Sequence, residues 1–152
     1  MQRLVEEFMK AMGQDVLKCP SIPLKGIQYL RMSLIDEEFA ELDEAIEEND
    51  LVKIADALGD LLYVVYGTCA AYGIDIEPVF REIHRSNMTK VGGPVREDGK
   101  RLKPEGYTPP CIHPILEEQN ERYKKGHSMP DVSGTRDSKT NVDPLAGRTV
   151  GA

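Results

Sequence analysis

Apolar positions recur with a helical period along most of the chain. Leu4, Val5, Phe8 and Met12 fall on one face of a helix over residues 3–12, which Gly13 stops. Residues 19–26, CPSIPLKG, carry two prolines and a glycine and read as a loop. From Ile27 to about Asn49 there is neither Pro nor Gly, and Ile27, Leu30, Leu34, Leu42, Ala45 and Ile46 repeat every turn or two, which predicts a long amphipathic helix. Asn49-Asp50 offers the N-cap of a second long helix, Leu51 to Tyr72, ended by Gly73. This helix is apolar almost all round from Ile54 onward, so it belongs at the centre of a bundle or at a subunit interface. Asp75 caps a third helix, carried to about Lys90, with Pro78 tolerated in its first turn and Ile76, Val79, Phe80 and Ile83 facing inward.

The signal changes after residue 91. Asp98-Gly99, with Val95 and Leu102 outside it, predicts a small β-hairpin, and residues 103–111, KPEGYTPPC, form a turn-rich loop. Ile115 to Tyr123 read as one short helix. From Gly126 on, large apolar residues are scarce, and such a segment buries too little surface to fold alone. The expectation is therefore an all-α protein: a helical bundle over residues 1–125 with a small β-hairpin, and an extended C-terminal tail over 126–152, disordered or packed on a neighbouring subunit.

Composition narrows the function. The 152 residues suit one domain with one core. Asp and Glu number 26 against 19 Lys and Arg, a net charge of -7, which repels nucleic acid and anionic lipid, so neither is expected as a partner. The three cysteines, Cys19, Cys69 and Cys111, make neither a metal-ligand pair nor an even disulfide framework, which favours a reducing compartment. The first residues lack an apolar signal core, and the expected location is the cytoplasm.

The candidate chemistry lies on the two long helices. Projected at about 100° per residue, Glu38 falls inside the apolar arc with Leu34, Leu42 and Ala45, Glu41 lies about 60° away, and Glu37 marks the arc's edge. Asp36, Asp43, Glu44 and Glu47 decorate the opposite side. A solvated acidic face accounts for that second group but not for Glu38 and Glu41, because an inward carboxylate must be protonated, paired or bound to a cation. On the second helix Asp56 and Asp60 stand four apart in a segment otherwise nearly devoid of polar side chains, with Lys53 one turn earlier on the same side. Two readings stay open: structural ion pairs (Lys53–Asp56, Arg31–Asp60), or an oxygen-rich cage for hard cations such as Mg²⁺ or Mn²⁺. No histidine follows a glutamate at the spacing of a di-iron site. On the third helix Asn87 continues the row of Phe80 and Ile83, with Lys90 close behind, an arrangement suited to an anionic ligand. Lys90 at a helix C-terminus also complements the dipole. Arg96, Lys100, Arg101 and Lys103 make a basic patch, read mainly as solubilising.

The segments LIDEEFAEL (34–42), DALGDLLYVVYG (56–67) and FREIHRSNMTK (80–90) resemble the all-α, MazG-like nucleoside triphosphate pyrophosphohydrolases, related to phosphoribosyl-ATP pyrophosphatase and dimeric dUTPase. A narrower resemblance is to the phage-type branch acting on purine deoxynucleotides. Glu38-Phe-Ala-Glu41 matches the family's Glu-x-x-Glu, and Asp60 matches the end of its Glu-x-x-Asp. The acid three residues earlier is Ala57 here, with Asp56 as the evident substitute. The resemblance implies hydrolysis of a (d)NTP, dGTP or dATP favoured, to (d)NMP and pyrophosphate by water attack at the α-phosphorus. It implies two to three Mg²⁺ or Mn²⁺ ions per site on Glu38, Glu41, Asp56 and Asp60, with Glu37 as the base and Lys53, Asn87 and Lys90 on the substrate. It also implies a homo-oligomer, a tetramer over a dimer. Phosphoribosyl-ATP or dUTP as substrate, and a non-enzymatic helical interaction protein, stand as alternatives.

Overall fold

The computed structural model describes residues 1–126, and the predicted tail lies outside them, apart from its first residue, Gly126. Five helices follow in order: α1 Gln2–Ala11, α2 Lys25–Glu47, α3 Leu51–Ala71, α4 Ile76–Met88 and α5 His113–Gly126. The all-α expectation holds, with each long helix within about two residues of its predicted bounds. The last helix is longer at both ends than Ile115–Tyr123, because Pro114 at its second position costs no hydrogen bond and starts it early. The predicted hairpin reduces to a tight turn: Val95 and Arg101 form a single antiparallel bridge, and Arg96 N–H donates to Lys100 O at 2.8 Å.

The long helices α2 and α3 pack most extensively, and α1 lies against α3. Arg31 of α2 reaches Gly67 of α3, and Glu38 of α2 senses Asp60 of α3, so the two helices run antiparallel. The reversal between them is short because Asp50 caps α3, its carboxylate accepting from Val52 N (2.9 Å) and Lys53 N (3.3 Å). The apolar core is small and sits at the α1–α3 crossing, where Val5 and Met9 meet Ala70 and Ala71, flanked by Val16, Ile27, Tyr66 and Tyr72. The alanines let α1 approach closely. Burying Met9 there contributes about 1.5–3 kcal/mol.

On α1 the row that sinks into the core is Val5 and Met9; Leu4, Phe8 and Met12, predicted to share the inward face, are 62%, 47% and 62% exposed. A helix presents two apolar stripes here, and only the alanine-rich end of α3 chooses between them. The loop from 12 to 24 is pinned to α3 by Leu17 N–H to Ala70 O (3.1 Å) and Ser21 N–H to Tyr72 O (3.0 Å). That close approach requires glycine at 73, where φ is +67° and a Cβ would stand 2.2 Å from Cys19 O.

The inward face of α4 also differs from the one predicted. Phe80 is 68% exposed, whereas Val79, Glu82 and Ser86 form the covered row. Polar bonds to the segment 107–111 select that face. Ser86 Oγ donates to Thr108 O at 2.9 Å, Cys111 N–H donates to Glu82 Oε1 at 2.8 Å, and Arg85 bridges Glu82 to Thr108 and Pro109. Hydrogen bonds from Arg85 and the Cys111 amide hold the Glu82 carboxyl down at about 2. The apolar helix α3 is long enough to cross a membrane by length and mean hydropathy (1.3), yet it carries Asp56 and Asp60 and packs along α2 and α1.

Two outcomes are expected. Gly67→Val should lower stability by about 1–3 kcal/mol in a denaturant titration, because even a Cβ would lie 3.0 Å from Arg31 Nη1. Glu82 is depressed, so its contribution is full above the ordinary carboxylate range and lost as pH falls through about 2. Melting curves of wild type and Glu82→Gln should therefore differ at pH 7 and converge in strong acid.

Candidate active site

The antiparallel packing of α2 on α3 sets a polar seam between them. Arg31 lies across from Gly67 and Glu38 near Asp60, and Ala45 and Ala57 are the buried small residues farther along. Alanine at 45 and 57 brings the backbones together without filling the space above them. Glu41 and Asp60 stand close enough to act on Glu38, although both are exposed to solvent.

Glu38 is the half-buried member, and Glu41 and Asp60 are exposed. Burial pushes the Glu38 carboxyl above the usual range, and the negative charges of Glu41, Asp60 and Glu37 push it the same way. Among the described residues, no ion pair or side-chain hydrogen bond neutralises Glu38, Glu41, Asp56 or Asp60. Both structural pairs weighed from the sequence are replaced by other partners: Lys53 bonds Glu48 in the α2–α3 turn, and Arg31 bonds Gln14. The same described residues hold no group of three or more His, Cys, Asp and Glu side chains drawn together in metal-binding geometry. The chemistry of the set is nevertheless that of a hard-cation site: oxygen donors only, mutually repelling, without a protein cation among them.

Asp56 is exposed, one turn before Asp60, and is not among the groups that act on Glu38. Ala57, the seam residue, is 6% exposed. An acid at 57 would point at the seam, whereas Asp56 stands about 100° around the helix. Glu37 is exposed, and Ser33 Oγ donates to its Oε1 at 2.8 Å, which fixes one carboxylate oxygen and leaves the other open.

Asn87 and Lys90 do come together: Lys90 Nζ donates to Asn87 Oδ1 at 2.7 Å. Asn87, however, is exposed and not inward, because the row it extends, Phe80 and Ile83, is itself uncovered. Both line a cavity of about 340 Å³ with Val91, Gly92 and Arg101. Arg101 joins them because the turn at Gly99 folds residues 94–102 back over the end of α4. Sequence reading placed it only in a basic patch; its neighbour set depends on that turn. A larger cavity, about 1020 Å³, opens between α1, α3 and the start of α4, and none of the seam carboxylates lines it. Its own acids are occupied, Glu6 by Gln2 and Lys10, Glu77 by Arg81 and Asp75 by the α4 cap.

The chain is similar to an uncharacterised protein of Acanthamoeba polyphaga mimivirus, 52% identical over 48 residues, which are 32% of this chain and 19% of that protein. The match thus spans about a fifth of the viral relative's length. Residues 5–87, more than half of the chain, match the model of the phosphoribosyl-ATP pyrophosphohydrolase family. That stretch runs from within α1 through nearly all of α4 and contains every carboxylate of the seam, and by it the chain belongs to the phosphoribosyl-ATP pyrophosphohydrolase family, with the MazG-like all-α fold.

Proposed function

We propose that the protein is a metal-dependent nucleotide pyrophosphohydrolase, converting a (d)NTP to (d)NMP and pyrophosphate by water attack at the α-phosphorus, with purine deoxynucleotides favoured. The observation that carries this reading is Glu38, a half-buried carboxylate destabilised as an anion by three acidic neighbours and given no protein cation. Such a group is costly to keep unless a cation meets it. Glu38, Glu41 and Asp60, with Asp56 one turn along, would hold two to three Mg²⁺ or Mn²⁺ ions. When bound, such ions neutralise triphosphate charge and lower the pKa of bound water.

The chain's own residues supply the rest. Glu37, with one oxygen tethered by Ser33, offers its free oxygen to take a proton from the attacking water. Lys90, Asn87 and Arg101 present donors to the phosphates from one cavity. Lys53 is paired only at the surface, with Glu48, and such a pair is weak enough to be exchanged for a phosphate oxygen. The family's description favours phosphoribosyl-ATP as the second candidate substrate.

The same reading makes the protein a homo-oligomer, a tetramer over a dimer. Tyr29 (72%), Phe39 (61%), Leu62 (56%) and Phe80 (68%) are large apolar side chains exposed on one chain, more than a lone subunit normally leaves open. Light scattering on the full chain should give a multiple of the 17.0 kDa subunit; a clean monomer mass would sink the association.

Incubation with Mg²⁺ or Mn²⁺ and each nucleotide separately should give monophosphate and pyrophosphate, resolved by anion exchange. Release of inorganic phosphate and a diphosphate would place the attack elsewhere and end the mechanism. Glu41→Gln and Asp60→Asn should each cut kcat on the order of 100-fold or more. Mn²⁺ should raise the wild-type Tm with concentration and leave Asp60→Asn nearly unmoved. Without metal, Glu38→Gln should melt slightly above wild type at neutral pH, on the order of 1 °C. The sign follows from the raised carboxyl: wild type loses stability as pH rises through it and the amide does not, so the difference vanishes in acid.

A further inference from the structure

The cavity of about 1020 Å³ lies apart from the acidic seam and has no task in the proposed reaction. It opens between α1, the segment 16–18, the second half of α3 and the first turns of α4. On its apolar wall Leu62, Val65 and Phe80 are 56%, 37% and 68% exposed, with Val16, Tyr66 and Ile76 half-buried beside them. Tyr66 and Phe80 add aromatic surface of the kind a flat ring packs against.

Charge sets this cavity apart from the rest of the protein. Over the whole chain acids outnumber cations by 26 to 19, yet Arg3, Lys10, Lys18 and Arg81 line the cavity against Glu6, Asp75 and Glu77. The three acids are engaged locally. Glu6 accepts from Gln2 at 3.0 Å and meets Lys10 at 3.9 Å, Arg81 bonds Glu77 at 2.5 Å, and Asp75 Oδ1 accepts from Glu77 N–H at 3.2 Å. Arg3 and Lys18 remain, exposed and without an ion pair among the described residues. The hydrogen bond from Arg81 holds the Glu77 carboxyl below its usual range, and Arg3 adds to this through space. Unpaired cations beside an open apolar wall match a ligand with an anionic head and a flat apolar body.

The same inventory disfavours a metal-bound ligand. A nucleoside triphosphate brings its divalent ion with it, and the carboxylates here are already engaged. Inorganic pyrophosphate carries charge but nothing to set against Leu62, Val65 and Phe80. Of the molecules in the proposed reaction, the nucleoside monophosphate has both parts and needs no metal.

We infer that this cavity is a second nucleotide site, separate from the seam, that binds a metal-free nucleoside monophosphate with its phosphate on the cationic rim and its base against the apolar wall. The choice of monophosphate rests on the pyrophosphohydrolase reading; the site rests on the cavity's own residues.

The test is calorimetric binding of dAMP and dGMP to the full chain in EDTA. Wild type should bind them, and inorganic pyrophosphate and deoxyribose 5-phosphate should bind at least tenfold more weakly, because neither brings a ring to the apolar wall. The double variant Arg3→Gln, Lys18→Gln should weaken the nucleotide about tenfold, remove most of the salt dependence of its Kd, and leave kcat for hydrolysis unchanged. Val65→Trp, which fills the cavity, should weaken it at least as much, and Asp60→Asn, on the seam, should leave it unmoved. Arg3 and Lys18 are exposed, so the double variant keeps the test open where Val65→Trp fails to fold. No binding in EDTA, binding that Asp60→Asn removes, or binding that survives both the double variant and Val65→Trp would overturn the inference. Light scattering that shows these variants splitting an oligomer, with nucleotide binding untouched, would assign the wall to a second copy and overturn it too. Metal-free binding with no turnover of any nucleotide would bring down the hydrolase reading and leave this site standing.

Discussion

Among the described residues, a cation without a counter-ion and acids without a cation lie along the same interhelical seam, two helical turns apart. Arg31 and Glu38 both project from α2 toward α3, and the antiparallel register that seats Arg31 over Gly67 also brings Glu38 toward Asp60. Shift that register and the guanidinium meets a side chain, while the carboxylates separate. The close approach of the two helices, permitted by Gly67, Ala57 and Ala45, is therefore the constraint from which both the acidic cluster and the Arg31–Gln14 pair follow.

The seam is an arrangement that stability alone would not choose. Acidic neighbours that raise the proton affinity of Glu38 weaken the fold, and a buried guanidinium with no carboxylate partner among the described residues adds to the cost. The compensating apolar core is modest, a few side chains at the α1–α3 crossing. Much of α3 and α4 keeps apolar side chains exposed on a single chain. The peripheral bonds among Glu82, Arg85, Ser86 and segment 107–111 hold the end of α4 and the turn at 94–102 without drawing on that core.

Much of this was legible in the residues. Gly13, Asp50, Gly73 and Asp75 punctuate the helices, and they do so through local chemistry: left-handed backbone at the glycines, side-chain caps at the aspartates. The acids of α2 and α3 were visible as polar residues out of step with their helical period, because a period of that kind is a property of one segment. The face a short helix buries was less legible. On α1 and α4 two apolar stripes compete, and the choice belongs to neighbours: Ala70 and Ala71 for Val5 and Met9, the 107–111 segment for Val79, Glu82 and Ser86.

By itself, the sequence determined which segments are helical and where they end, and it marked acidic residues out of step with the apolar period on two of them; of these the structure half-buries Glu38 and leaves Glu41, Asp56 and Asp60 exposed. Period, caps and breakers act over a few residues, so no distant partner is needed to read them. Only the tertiary structure decided who meets whom. It pairs Lys53 with Glu48 instead of Asp56, Arg31 with Gln14 instead of Asp60, and Arg101 with Asn87 and Lys90 around one cavity. Those pairings depend on helix register and on a turn that returns the chain over α4. Register is set by the fit of side chains such as Arg31 and Gly67 across a gap, and that fit exists only once both helices are in place.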